Sequence, residues 1–187
     1  MRKVFFSFHY ENDNWRVQTI KQMGVIDFQI PVSSNKWEEI RLKNDRDIKY
    51  WIDENIKGCS CLVVLIGSET ANRKYVQYEI EKAWNEGKGV LGIYIHNLKN
   101  CNRNTSSKGN NPFNIFKFDL LNENSKNILI RPILNIPTHS YDTNYLGNNL
   151  FSSPSRNWYN QIKLNLPYWV EKAIDYRKSW AYKIKKK

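Results

Sequence analysis

The feature that most constrains the fold is an uninterrupted apolar run of six residues, Cys61–Ile66. Glycines stand shortly before it and directly after it, at Gly58 and Gly67, so the run is too short to be read as a helix. A strand that lacks alternation of polar and apolar residues is typical of parallel sheets whose two faces are both covered. The run therefore predicts the central strand of an α/β domain.

Further apolar runs and three amphipathic stretches surround that strand in the first 95 residues. The apolar side chains of each stretch recur at helical spacing, and capping residues or glycines mark the ends. The predicted order is strand Val4–Phe8, helix from the Asn12–Asp13–Asn14 cap to Gly24, strand Val25–Phe28, helix from Asn44 or Asp45 to Lys57, strand Cys61–Ile66, helix from about Lys74 to Glu86, and strand Val90–Ile95.

This alternation of strands and helices indicates a flavodoxin-like three-layer α/β domain with a parallel central sheet. The length of 187 residues suits a single domain. Ligands of such sheets bind beyond the carboxyl ends of the strands. The predicted strand ends are Phe8–His9–Tyr10, Phe28 and Ile66–Gly67–Ser68.

The second half of the chain has weaker patterns. Asn97 to Asn111 and Asn144 to Arg156 are rich in polar residues and predict loops. Ile128 to Ile136 predicts a last strand or an edge strand, because Pro132 interrupts it. Leu166 to Tyr182 predicts a C-terminal helix with Pro167 in its first turn.

The formal net charge of +11 raises the question of nucleic-acid binding. Six basic residues and no acidic residue fall in the last eleven positions, Arg177–Lys187. Such a run is typical of a solvated helix end, and we expect Ile184–Lys187 to fray. The charge pattern therefore argues against a nucleic-acid partner.

The sequence lacks several common functional motifs. Its three cysteines and three histidines show no metal-ligand spacing, so we expect no metal site. The apolar stretch behind Met1–Arg2–Lys3 is too short for a signal peptide, and no run reaches transmembrane length, so we expect a cytoplasmic protein with no membrane partner. No P-loop or dinucleotide fingerprint occurs, and the strand ends lack the acidic cluster of receiver domains.

Tyr75 and Glu79 lie one turn apart on the predicted helix that follows the central strand. Glu79 stands beside the apolar positions Val76, Ile80 and Ala83, which would leave it partly buried. The alternative is a surface ion pair between Glu79 and Lys74 or Lys82. Spacing alone favours that alternative, because charged residues on helices are mostly solvated.

Two segments resemble TIR domains: Phe5–Tyr10, and Leu65–Thr70 with Asn72–Ile80. Together they are similar to the TIR-like ThsB proteins of the Thoeris anti-phage defence system, and Ser107–Phe113 resembles a loop of those proteins. The resemblance implies one TIR-like domain over 1–187, with a core of about 1–116 and a family-variable C-terminal part of about 117–187.

The resemblance also implies a set of site residues. The family's catalytic glutamate falls on Glu79, and the aromatic residue four positions earlier, usually Trp, is Tyr75 here. The mobile loop after the second strand corresponds to about Pro31 to Asp45, with Asp45 as a substrate contact. The other implied substrate contacts are Ser7, Phe8, His9 and Tyr10.

The activity that the resemblance implies is cleavage of the nicotinamide–ribose bond of NAD, which is the substrate and not a cofactor. Water as acceptor gives ADP-ribose, and a hydroxyl of the same molecule gives a cyclic ADP-ribose isomer. That isomer would act as a diffusible second messenger for a downstream effector in antiviral defence, with a phage-derived trigger and self-association into a homo-oligomer. Two alternatives remain open: a nucleoside N-glycosidase or deoxyribosyltransferase, and a non-catalytic TIR interaction module.

Overall fold

The computed structural model describes residues 2–29, 42–120, 129–132, 136–140, 153–180 and 183–186. The strands are β1 (Lys3–Ser7), β2 (Asp27–Gln29), β3 (Cys61–Ile66), β4 (Gly89–Tyr94), β5 (Phe116–Leu120), β6 (Leu129–Pro132), β7 (Thr138–His139) and β8 (Lys183–Lys186). The helices are α1 (Tyr10–Lys21), α2 (Asp45–Lys57), α3 (Lys74–Asn85) and α4 (Pro154–Lys178), with short 3₁₀ turns at Thr70–Asn72 and Pro112–Ile115.

The main sheet has the strand order β2-β1-β3-β4-β7, and every pairing in it is parallel. All six residues of β3 are buried, and all six of β4. This confirms the parallel central sheet with Cys61–Ile66 in its interior.

Helices cover both faces of that sheet. Alternate strand residues point to opposite sides, so Val63 and Leu65 share a core cluster with α1 and α4, whereas Leu62 and Val64 share one with α2 and α3. The predicted three-layer, flavodoxin-like α/β domain is therefore confirmed.

The element bounds of the first half agree closely with the prediction, with one difference at α1. The predicted cap was at Asn12–Asp13–Asn14, but α1 begins at Tyr10 with His9 as its N-cap. That earlier start places Asp13 inside the helix, where it is buried. For α2 the capping prediction is confirmed, because Asn44 Oδ1 accepts a hydrogen bond from Asp47 N at 2.9 Å.

The C-terminal half differs more from the prediction. The prediction of a loop up to Arg156 is wrong at the C-terminal end of that loop, since α4 begins at Pro154. Pro167, predicted in the first turn of the helix, lies in the interior of α4. Pro167 is tolerated because a long apolar face holds the helix on the sheet, including Trp158 and Leu166. Trp158 Nε1 also donates a 2.6 Å hydrogen bond to Tyr94 O.

The basic tail is a strand and not a fraying helix end. β8 pairs antiparallel with β5, and β5 pairs antiparallel with β6, in a second sheet of order β6-β5-β8. β8 and β6 are its edges, which agrees with the edge interpretation of the segment around Pro132. A lysine-rich sequence is compatible with an edge strand, because charged side chains discourage pairing with a further chain.

The loop predicted from Pro31 to Asp45 lies mostly outside the described residues, which resume at Leu42. The predicted loop from Asn97 to Asn111 is described, and it contains no helix or strand. Within the described residues, no helix is long and apolar enough to cross a membrane.

Candidate active site

A cleft of about 280 Å³ opens at the carboxyl edge of the main sheet. It lies between the segment that follows β1 and the first turns of α3, where ligands of such sheets bind. Its volume is near the lower end of small-molecule pockets, which span about 300–1,000 Å³. The lining residues are Phe8, His9, Tyr10, Glu11, Arg73, Lys74, Tyr75, Val76 and Glu79.

Glu79 is the buried carboxyl of this cleft, with 6% of its surface exposed. Its neighbours on the inner face of α3, Val76 and Ile80, are buried too, so the amphipathic pattern of the helix places Glu79 inside. Ser7 Oγ, at the end of β1, donates a hydrogen bond of 2.5 Å to Glu79 Oε2. Burial raises the pKa of Glu79 to about 8, and the Ser7 hydrogen bond opposes that rise.

The surface ion pair considered for Glu79 is wrong. Lys74 Nζ lies 2.6 Å from Asp45 Oδ1 instead. Lys82 Nζ lies 3.0 Å from Asp53 Oδ2 and 3.2 Å from Glu86 Oε1. Both lysines thus have other carboxylate partners, and among the described residues Glu79 has no cationic partner.

Asp45 lies behind Tyr75 and is not among the cleft-lining residues. The Tyr75 hydroxyl donates to Asp45 Oδ1 at 3.2 Å, and Lys49 Nζ lies 3.0 Å from Asp45 Oδ2. The hydrogen bonds from Lys74 and Lys49 lower the pKa of Asp45 to about 2. Asp45 is therefore ionised at neutral pH, and its contact fixes the Tyr75 ring at the wall of the cleft.

His9 is a buried imidazole in the same wall, with 6% of its surface exposed. Nδ1 is buried without a hydrogen-bond partner. The nearest carboxylate oxygens are Glu69 Oε2, 3.7 Å from Nδ1, and Glu11 Oε2, 3.6 Å from Nε2. Burial, followed by the positive charge of Arg73, lowers the pKa of His9 below its ordinary value of 6.5, so the ring is neutral at pH 7.

Arg73 and Lys74 bring positive charge to the cleft, and sequence reasoning did not find this role. Arg73 is the N-cap of α3, and no side chain caps that end of the helix. The Arg73 guanidinium contacts Glu69 Oε2 at 2.5 Å, while its Nε has no hydrogen-bond partner. An uncapped helix N-terminus beside two cations favours an anionic ligand group. Two consecutive basic residues at the start of the helix, the N-cap and the first helical residue, were the available signal.

Close packing fixes the end of β3 against α1 and the segment around Gly109. A Cβ at Gly67 would lie 2.0 Å from Asp13 Oδ2, and a Cβ at Gly109 would lie 2.0 Å from Gly67 O. Asp13 is buried and paired with Arg16 at 3.0 Å, and Arg16 Nε donates to Leu98 O at 2.8 Å. The segment around Gly109 therefore packs directly over the end of the central strand.

The site contains no recognisable metal centre within the part of the chain that the structure describes. No group of three potential metal-ligating side chains occurs there. Cys59 and Cys61 are buried free thiols, and Cys101 is an exposed one. Burial raises the pKa of the Cys61 thiol, which makes this group a poor nucleophile.

Two comparisons with known proteins bear on this site. Residues 5–100 match the family model described as Thoeris protein ThsB, TIR-like domain. A Bacillus cereus (strain MSX-D12) protein named "Putative cyclic ADP-D-ribose synthase ThsB1" is 35% identical over 117 residues. That alignment covers 60% of this chain and 61% of the relative, so it spans less than two thirds of the relative's length. The family match includes both walls of the cleft.

Proposed function

The chain belongs to the family of Thoeris ThsB TIR-like domains, and from that premise we propose that it cleaves the nicotinamide–ribose bond of NAD. The observation that carries the proposal is the buried Glu79 carboxyl in a cleft at the carboxyl edge of the sheet. A buried carboxyl without a cationic partner is costly to the fold, and such groups are concentrated at functional sites. Glu79 is the catalytic carboxylate of the proposal.

The chemistry needs only one carboxylate. Nicotinamide in NAD is a cationic pyridinium, so it departs as a neutral molecule and needs no general acid. The ribose develops oxocarbenium character, which a single ionised carboxylate stabilises. The second carboxylate that ordinary glycosidases use is therefore not required.

The raised pKa of Glu79 fits a site that receives a cation. With a pKa of about 8, the Glu79 carboxyl is mostly protonated at pH 7. A pyridinium placed beside it lowers that pKa and favours the ionised form. Substrate binding thus releases a proton and generates the charge that the transition state needs.

The charges at the mouth of the cleft favour a phosphate-bearing substrate over a free nucleoside. Arg73 and Lys74 flank the uncapped start of α3 in the same cleft as Glu79. These donors suit the pyrophosphate of NAD. A neutral nucleoside brings no anionic group to this end of the helix, which makes the nucleoside N-glycosidase the weaker candidate. A purely adhesive module would gain nothing from a buried carboxyl.

The wider role follows from the family and from the relative's name. We propose a cyclic ADP-ribose isomer as product, with ADP-ribose formed when water is the acceptor. The cyclic product would act in the cytoplasm as a second messenger for a downstream effector in anti-phage defence. Activation by a phage-derived trigger and self-association belong to the same proposal.

The test is chromatography of NAD incubated with the purified chain over a range of protein concentrations. We expect release of nicotinamide together with cyclic or linear ADP-ribose, identified by mass, and no release of base from inosine or deoxyadenosine. Glu81→Gln is the matched control, because Glu81 lies on the same helix but does not line the cleft. Base release from nucleosides but not from NAD would replace the proposal by its alternative.

A further inference from the structure

We propose that the His9 imidazole accepts the proton of the hydroxyl that attacks the ribose, so that it governs transfer to hydroxyl acceptors. This inference rests on the proposed cleavage of NAD and adds a second catalytic group to it. His9 lines the same cleft as Glu79, and neither of its ring nitrogens has a hydrogen-bond partner among the described residues. Nδ1 is the buried one of the two nitrogens, so Nε2 is the nitrogen that we assign to a ligand in the cleft.

We assign the accepting role to Nε2, because Nδ1 is buried. Nδ1 is the buried nitrogen and faces Glu69 Oε2 at 3.7 Å. A proton held on Nδ1, towards that carboxylate, leaves the Nε2 lone pair for a ligand in the cleft. Glu11 Oε2 lies 3.6 Å from Nε2 and stabilises the imidazolium that forms. Because Glu11 is mostly exposed, the proton can pass from the ring to solvent there.

Glu79 is less suited to this second task. Glu79 Oε2 already accepts a hydrogen bond from the Ser7 hydroxyl. The negative charge of the carboxylate must also face the oxocarbenium. A base that is neutral before the reaction leaves that charge in place. His9 meets this requirement, because its pKa lies below 6.5.

In the proposed step, the bond between ribose C1′ and the nicotinamide nitrogen breaks, and its electron pair stays on the nicotinamide ring to give neutral nicotinamide. The hydroxyl oxygen of water or of the same molecule forms the new bond to C1′. The proton of that hydroxyl moves to His9 Nε2 and then to water.

Under this proposal, two classes of acceptor differ in whether they need His9 as a base. A hydroxyl acceptor must lose a proton when it attacks. A pyridine acceptor, such as free nicotinamide returning to the ribose, attacks through a lone pair and has no proton to lose. Exchange of labelled nicotinamide into NAD therefore needs Glu79 but not a base, whereas formation of ADP-ribose products needs both.

The experiment measures both reactions in one mixture, in wild type and in His9→Gln and His9→Asn. One readout is labelled nicotinamide incorporated into NAD, and the other is the total of linear and cyclic ADP-ribose. We expect the ratio of ADP-ribose products to exchange to fall about 10²-fold in both variants, the lower range for a lost general base. His96→Gln is the matched control, because His96 is a second histidine at this edge of the sheet and does not line the cleft. Its ratio should stay at the wild-type value.

Wild type supplies a second measurement that needs no substitution. Its product-to-exchange ratio should fall as the pH drops through the pKa of His9, below 6.5, because the protonated ring accepts nothing. The groups that set this pKa besides burial are Arg73, which lowers it, and Glu69, Asp13 and Glu11, which raise it. The ratio should be independent of pH in the two His9 variants.

Three results would overturn the inference. An unchanged ratio in the variants would exclude a base role, and so would a pH-independent ratio in wild type. Exchange and product formation falling together would assign His9 a structural or binding role only. Wild-type protein that neither exchanges nicotinamide nor forms ADP-ribose would instead refute the proposed NAD cleavage itself, and the inference with it.

Discussion

Ser7 Oγ and Glu79 Oε2 are joined by a buried hydrogen bond of 2.5 Å that links residues 72 positions apart in the chain. It connects the end of β1, directly before the segment that lines one wall of the cleft, to the second turn of α3, which lines the other wall. The bond lowers the pKa of Glu79 while burial raises it to about 8, so it favours the ionised carboxylate. The first predictions concern this pair.

Glu79→Gln should abolish nicotinamide release while the protein remains folded. The amide keeps the shape of the side chain but removes the charge that faces the oxocarbenium. Nicotinamide release is measured by chromatography and folding by circular dichroism, with Glu81→Gln as the control. Near wild-type release by a folded Glu79→Gln protein would end the catalytic assignment.

The same substitution should stabilise the protein at alkaline pH. The pKa of Glu79 rises from 4.5 to about 8 on folding, so between these values the unfolded state ionises while the folded state keeps its proton. The free energy of unfolding of wild type therefore falls as the pH rises through this window, by at most about 5 kcal/mol. Gln does not titrate and escapes this loss.

The measurement is the melting temperature of both proteins at pH 5, 6.5 and 8. The difference, Glu79→Gln minus wild type, should grow with pH. A difference that is flat across the three pH values would mean that Glu79 is ionised in the folded protein throughout.

Ser7→Ala should shift the pH profile of NAD cleavage to higher pH. Cleavage needs the ionised Glu79, so kcat/KM should rise with pH towards a plateau above about pH 8 in wild type. Loss of a hydrogen bond to a charged group, worth about 1.5–3 kcal/mol, moves the midpoint up by roughly one to two pH units. Ser68→Ala, a serine at the same edge that does not line the cleft, is the control. Coincident profiles for Ser7→Ala and wild type would show that the bond does not tune Glu79.

Much of the core was predictable because local patterns and packing agree there. β3 matches its apolar run at both ends, and α2 begins and ends where its cap and stop residues predict.

The prediction for the C-terminal half was less accurate, because local patterns and packing disagree there. Pro167 suggested a helix start and the polar stretch up to Arg156 suggested a loop, but packing of Trp158 on the sheet decides the extent of α4. The backbone pairing of β8 depends on β5, which no local pattern in the tail reveals.

The site was only partly predictable. Spacing left Glu79 between a buried and a surface interpretation, and the resemblance to TIR domains decided between them. The burial of Glu79 depends on which face of α3 meets the sheet. The positions of Arg73 and His9 could not be predicted in detail, because their roles arise only when the segment after β1 lies beside the start of α3.

Arg73→Gln should weaken binding of phosphate-bearing substrates selectively. Arg73 lines the cleft at the start of α3, where its positive charge favours the pyrophosphate. We expect KM for NAD to rise about tenfold, the cost of one charge-assisted hydrogen bond, and kcat/KM for nicotinamide riboside to change little. Lys82→Gln, which alters a cation of α3 outside the cleft, is the control. An equal loss with both substrates would place Arg73 in a structural role.

Deleting residues 183–187 should lower the melting temperature, contrary to the expectation that the tail frays. β8 pairs with β5 along its length and lies against α3, the helix that carries Glu79. The preceding residues already anchor the chain there, since Arg177 Nε donates to Trp84 O at 2.8 Å. A loss of several degrees is expected, because each 1 kcal/mol shifts the melting temperature by about 2–4 °C at this chain length.

The double variant Lys185→Gln and Lys186→Gln separates the effect of backbone pairing from that of charge. It removes two cations but keeps the strand, so this variant should melt near the wild-type temperature. A deletion that melts at the wild-type temperature would show that β8 contributes no stability, and a double substitution as damaging as the deletion would show that charge, not pairing, holds the tail.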